Sequence, residues 1–166
     1  MTVFSCTKCG AELTPNLRQL AAIPEAAVQV MSRESRTRLA PSTVPRGHFA
    51  IDPEPWGAPF TAVPPQRRRR PENSRALLMP PGMSDFESAG PKNSAIVHPD
   101  DVPSLRLSNN LGIRQGCCGP LGTGGRNMTC ACGTLVATLA ADCLGPHELH
   151  LDPVRVYGYA EAGGDT

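Results

Sequence analysis

The chain has 166 residues, of which 18 are proline, 16 are glycine and seven are cysteine, and its formal net charge is +1. This length suits one domain with a core of modest size, and seven aromatic residues are too few to fill a large core. No apolar run approaches the ~20 residues of a membrane-spanning helix, and a charge near zero gives no reason to expect a nucleic-acid or membrane partner.

The first 14 residues predict a short strand, a turn that carries Cys6 and Cys9, and a return strand from Ala11 to Leu13. The N-terminus MTVFSCTKCG has neither the basic start nor the apolar stretch of a signal peptide. We therefore expect a cytoplasmic protein, and in that reducing compartment clustered cysteines are more often metal ligands than disulfides.

The next part of the chain is ambiguous between helix and strand. Within 16–38, Pro24 can open a helix at its first position, but Leu17, Ala21 and Ile23 fit a strand equally well. Residues 47–53 predict a strand that places Phe49 and Ile51 on one face.

Residues 53–76 contain six prolines and the run Arg67 to Arg70, which predicts an exposed Pro/Arg-rich loop. A solvated loop is the simplest interpretation of the four arginines. The alternative is an adaptor that binds an acidic protein or a nucleic acid, although no interleaved aromatic residues are present to stack on bases.

The C-terminal half predicts a series of short strands with glycine- and proline-rich turns between them. We expect strands at 94–98, around Leu105 and Leu107, at 134–139, at 148–151 and at 154–159. Short strands with turn residues between them indicate a mainly β fold with a small antiparallel sheet and long Pro-rich loops. The predicted domain spans 1–160, and 161–166 is expected to be a disordered tail.

Two cysteine turns, here called knuckles, lie at opposite ends of the sequence. Cys6 and Cys9 are followed by Gly10, and Cys130 and Cys132 are followed by Gly133, with one residue fewer between the sulfurs of the second pair. Four thiolates complete a closed tetrahedral zinc site of the structural type, which would join the N- and C-terminal knuckles. The alternatives are buried free thiols or a redox pair.

The three remaining cysteines have no regular spacing. The adjacent Cys117 and Cys118 can form a strained disulfide, supply a metal ligand or present a reactive thiol. For Cys143 the simplest interpretation is a small buried apolar residue. The alternative is a second metal site that combines Cys117 or Cys118 with Cys143 and His147.

A catalytic hypothesis uses the same cysteines. His98 or His147 would assist Cys117 or Cys118 in a thiol- or zinc-dependent enzyme that acts on a small molecule, with Asp100 or Asp101 orienting His98. The glycine-rich stretch 119–126 lacks the Gly-Lys-Ser/Thr ending of a phosphate-binding loop and predicts an irregular loop instead.

Three stretches carry a resemblance to known proteins: VFSCTKCGAELT, HFAIDPEPWG, and GCCGPLGTGGRNMTCACGTLVATLAADC with LHLDPVRV. They resemble a group of short cysteine-rich actinobacterial proteins that have no assigned activity. In that group the second knuckle is C-x-x-C-G, one residue longer than here, and the Cys117-Cys118 pair and Cys143 match its pattern. A looser architectural likeness, to the zinc β-fold of methionine sulfoxide reductase B and formaldehyde-activating enzymes, implies a fold but no catalytic residue.

Overall fold

The computed structural model describes residues 1–27, 30–64, 85–110, 116–143 and 145–160. These residues form a mainly β structure, which confirms the predicted fold class. Its strands are β1 (Thr2–Cys6), β2 (Arg18–Gln19), β3 (His48–Asp52), β4 (Phe60–Ala62), β5 (Phe86–Ser88), β6 (Ser94–Val97), β7 (Arg106–Leu107), β8 (Met128–Thr129), β9 (Leu135–Ala140), β10 (Glu148–Leu151) and β11 (Val156–Ala160). Within the described ranges, short 3-10 helices cover Val30–Ser32 and Pro99–Asp101.

The main sheet has seven strands in the order β2-β3-β6-β10-β9-β8-β7. Every neighbouring pair in it is antiparallel except β2 and β3, which are parallel, so the sheet is mainly antiparallel, as predicted. Two further sheets have two antiparallel strands each, β1 with β11 and β4 with β5.

The core lies between the main sheet and the ribbon of β1 and β11. All four residues of β10 are buried, because this strand lies between β6 and β9 in the middle of the sheet. Phe4 of β1 meets Phe49 of β3 edge to face, with ring centroids 5.0 Å apart. Cys6 and Cys130 belong to the same apolar cluster, so the knuckles rest directly on the core.

The first and last strands of the described chain pair with each other. The register runs from Thr2 opposite Ala160 to Cys6 opposite Val156. Backbone hydrogen bonds therefore join the two ends of the domain independently of any metal ion. None of the helices in the described ranges is long and apolar enough to cross a membrane.

Several predicted elements differ from the structure. The return strand expected from Ala11 to Leu13 is reduced to a single bridge between Ser5 and Glu12. The helix option after Pro24 is wrong for 24–27, which are not helical, and the first helical turn begins only at Val30–Ser32. Strands are present close to the expected positions at Ser94–Val97, Leu135–Ala140 and Glu148–Leu151.

The described part of the predicted Pro/Arg-rich loop, 53–64, is exposed at half of its positions and also contains a buried residue and a short strand. Trp56 is 6% exposed and stacks on His150, with ring centroids 4.1 Å apart. Phe60–Ala62 then pairs with Phe86–Ser88 as a separate hairpin. Residues 65–76, including Arg67 to Arg70, and the tail 161–166 lie outside the described residues.

Candidate metal centres

The first knuckle is the tip of a short hairpin that leaves β1. The amide of Cys6 donates to the carbonyl of Ala11 at 2.9 Å, and the amide of Gly10 donates back to the carbonyl of Cys6 at 2.9 Å. Gly10 has φ +72°, a left-handed conformation that glycine adopts at little cost. The amide and hydroxyl of Thr7 both bond the carbonyl of Arg155, which fixes the tip against the turn before β11.

The second knuckle is the turn between β8 and β9, and it repeats these contacts with one residue fewer. The amide of Cys130 donates to the carbonyl of Thr134 at 2.9 Å, and the amide of Gly133 donates to the carbonyl of Cys130 at 2.8 Å. Gly133 has φ +82°. The shorter Cys-x-Cys spacing therefore closes a tighter turn of the same kind.

The two knuckles bring their four sulfur atoms together. The Sγ atoms of Cys6 and Cys132 are 3.8 Å apart, and those of Cys9 and Cys130 are 3.7 Å apart. All four lie within 4.8 Å of one another, and no disulfide joins them. Cys6 and Cys130 are buried, whereas Cys9 is exposed and Cys132 is half-buried, so the cluster lies at the edge of the core.

The thiols of the second knuckle differ in acidity. Burial raises the pKa of Cys130 to about 12. Hydrogen bonding with the Thr134 hydroxyl, whose oxygen is 3.4 Å from the sulfur, and with the Thr134 backbone lowers the pKa of Cys132 to about 6. In the absence of a cation, Cys132 is therefore the first of this pair to ionise.

The structure also brings together the three cysteines that had no regular spacing. Cys117 Sγ lies 3.6 Å from Cys118 Sγ and 3.1 Å from Cys143 Sγ. All three sulfurs lie within 4.8 Å of one another, and we call this group the trithiol cluster. Cys143 is half-buried and contacts another thiol, so the interpretation as a buried apolar residue is wrong.

Two glycines and one carboxylate hold the trithiol cluster in place. A Cβ on Gly119 would lie 2.3 Å from the carbonyl oxygen of Ala141, and a Cβ on Gly116 would meet the carbonyl oxygen of Gly119. The carboxylate of Asp142 accepts the amide of Cys118 at 3.0 Å. The loop with the adjacent cysteines thus packs backbone to backbone on the segment that carries Cys143.

Neither candidate catalytic histidine joins these thiols. Among the described residues the trithiol cluster contains only cysteines. The Nδ1 atom of His98 accepts the amide of Asp100 at 3.1 Å at the start of a 3-10 helix. His147 lines an open groove with Arg33 and Pro41, and burial followed by the charge of His98 lowers its pKa.

A buried network of hydrogen-bonded polar side chains was not predicted from the sequence. Glu148 accepts from the hydroxyl of Thr43 at 2.7 Å and bonds His150 Nε2 at 2.8 Å, and His150 Nδ1 lies 3.1 Å from Ser94 Oγ. The cavity beside His150 has about 10 Å³, room for about one water, and these hydrogen bonds join residues on both sides of the buried strand β10. The alternation of polar and apolar residues in ELHLD, 148–152, is the pattern of an ordinary half-exposed strand, so the sequence gives no signal of this burial.

No protein-family model matches the chain, and no curated protein or solved structure is significantly similar to it. The resemblance to actinobacterial cysteine-rich proteins therefore stays a prediction. The geometry of the two cysteine groups is the basis on which a function can be inferred for this chain.

Proposed function

We propose that the protein binds one structural zinc ion through Cys6, Cys9, Cys130 and Cys132. The observation that carries the proposal is the spacing of the sulfur atoms. Four sulfurs at the usual Zn–S distance of about 2.3 Å form a tetrahedron with edges of about 3.8 Å. The separations of 3.8 Å between Cys6 and Cys132 and 3.7 Å between Cys9 and Cys130 match that edge.

The donor set supports zinc in a closed site. Four thiolates in tetrahedral array favour zinc or iron over the hard cations, which prefer oxygen ligands. Because the protein supplies all four ligands, no position is left for a substrate or a reactive water, as in structural zinc sites. The ion would supply folding free energy by holding the two knuckles together, and one sulfur of each knuckle is already packed in the core.

Zinc in this position complements the pairing of β1 with β11. The strand pair ends at Cys6 opposite Val156, where the first knuckle begins. The second knuckle ends the β8–β9 hairpin of the main sheet. Since the metal would bridge the terminal ribbon to the main sheet, the proposed role is to fix the packing of these two layers.

Metal analysis of the full chain tests the proposal. Protein purified under reducing conditions without chelator is expected to contain zinc and to show no visible absorption, and Cys9→Ser is expected to lose the zinc of this site. Iron with a visible thiolate charge-transfer band, or metal content that Cys9→Ser leaves unchanged, would contradict it. Cys9 is the variant of choice because its side chain is exposed and its replacement leaves the core intact.

A further inference from the structure

The trithiol cluster lies apart from the four-cysteine site. Strand β9 begins three residues after Cys132 and ends three residues before Cys143. Its six residues cover roughly 17 Å from first to last Cα at about 3.3 Å per residue. One ion therefore cannot serve both groups, and the two sites are at opposite ends of the same strand.

We propose that Cys117, Cys118 and Cys143 form a second zinc site, in which three thiolates hold the ion and the fourth position is open to an outside ligand. On binding, the three thiols release their protons to solvent, and no oxidation is involved. Sulfur-only donors select a thiophilic ion. A site with three protein ligands is of the open type, which accepts water or a small exogenous ligand.

The geometry of the sulfurs supports a shared ion. The 3.6 Å separation of Cys117 and Cys118 is close to the tetrahedral edge of about 3.8 Å. Cys117 and Cys143 are closer, at 3.1 Å, so a bound ion would move them apart by about 0.7 Å. Cys117 and Cys118 are exposed, so, as far as the described residues go, the sulfurs can make this adjustment and a fourth ligand can approach from solvent.

The surrounding backbone is a second, independent observation. Gly116 and Gly119, on either side of the adjacent cysteines, have no space for a Cβ because other backbone atoms occupy it. The amide of Ala141 donates to the carbonyl of Pro120 at 2.8 Å, and the amide of Cys118 donates to Asp142. These contacts fix the loop in the position that brings its two thiols to Cys143.

Stoichiometry in the full chain separates this site from the first one. Wild-type protein loaded with zinc under reductant and then desalted should hold two zinc ions, and Cys117→Ser and Cys143→Ser should each hold one. Cys9→Ser provides the matched thiol-to-hydroxyl change at the other site. One zinc in wild type that survives Cys117→Ser but not Cys9→Ser overturns this inference and leaves the four-cysteine proposal standing. One zinc in wild type that survives Cys9→Ser but not Cys117→Ser would overturn the four-cysteine proposal and leave this inference standing.

Cobalt substitution tests the open position. With Co²⁺ as the probe, titration of wild type should give two sets of tetrahedral bands, and added imidazole should shift only the set that Cys117→Ser removes. Bands that imidazole leaves unchanged in wild type, at full cobalt loading, overturn the open fourth position. A disulfide between Cys117 and Cys143 in protein prepared without oxidant overturns the site as a whole.

Discussion

Cys9 and Cys130 are 121 positions apart in the chain, and their sulfur atoms lie 3.7 Å apart. One of these residues is exposed and the other is buried. The contact therefore joins the outer tip of the N-terminal hairpin to the core side of the β8–β9 turn. Zinc held there would stabilise the packing of the hairpin on this turn.

Zinc should contribute measurably to stability through the first site. In urea unfolding of reduced protein, wild type is expected to lose stability when a strong chelator is added, by about 4 kcal/mol if free zinc stood a thousandfold above its dissociation constant. Cys9→Ser should lose this part of the chelator effect and keep only the part that comes from zinc in the trithiol cluster. Cys117→Ser, the same chemical change in the trithiol cluster, should keep the chelator effect. An equal chelator effect in Cys9→Ser would contradict the assignment.

Steric crowding at Gly119 should control the trithiol cluster. Gly119→Ala places a Cβ 2.3 Å from the Ala141 carbonyl oxygen and should displace the loop, so the protein should lose the second zinc and keep the first. Gly133→Ala is the control, because a Cβ there meets nothing within 4 Å and only the φ of +82° is unfavourable. We expect Gly133→Ala to cost about 1–2 kcal/mol and to retain both ions. Zinc content and urea unfolding measure the two effects, and full zinc content in Gly119→Ala would contradict the first.

The hydroxyl of Thr43 should stabilise the buried Glu148. Thr43→Val removes the donor to Glu148 Oε1 inside the core and is expected to destabilise the protein by about 1–3 kcal/mol. Thr129→Val is the matched control, because the Thr129 hydroxyl donates to the Arg106 carbonyl at the surface, and water can take the place of the lost hydroxyl there. We expect this control to change the free energy of unfolding by no more than about 0.5 kcal/mol. Equal effects in urea unfolding would show that the buried contact adds nothing.

His147 should make stability depend on pH. Burial holds the pKa of His147 below its ordinary value of 6.5, so between that folded value and 6.5 the unfolded chain binds more protons than the folded one. The free energy of unfolding should therefore fall as the pH drops below about 6.5, by at most about 1.4 kcal/mol per pH unit. His147→Gln should lack this component.

The prediction for His147 is tested by measuring the free energy of unfolding of wild type and of His147→Gln at about pH 7.5 and about pH 5.5. Histidine side chains gain their proton between these two pH values, so the difference between the two proteins should change. Protonation of metal thiolates affects both proteins equally and cancels in the difference. A difference that does not change with pH would contradict the lowered pKa of the half-buried His147.

The first and second knuckles could be predicted from sequence because their signals are local. A cysteine pair followed by glycine specifies a tight turn, and Gly10 and Gly133 adopt the positive φ that this turn requires. The strands Leu135–Ala140 and Glu148–Leu151 were also accessible, since runs of apolar and β-branched residues between glycines and prolines indicate a strand without knowledge of its partner.

The trithiol cluster and the buried polar network around Glu148 could not be predicted from local sequence signals. Cys143 meets Cys117 only because the Gly116–Gly119 loop packs on Ala141, and that approach depends on the path of the whole chain. Glu148 and His150 looked like ordinary strand residues. Their burial follows from the central position of β10 in the sheet, which is a property of strand order.

The amino-acid sequence by itself therefore determined the fold class, the two cysteine turns and the placement of several strands, because each depends on residues that are neighbours in the chain. Only the tertiary structure decided the pairing of β1 with β11, the grouping of Cys117, Cys118 and Cys143, and the separation of His98 and His147 from those thiols. These relationships depend on strand order, register and loop packing, which join residues far apart in sequence.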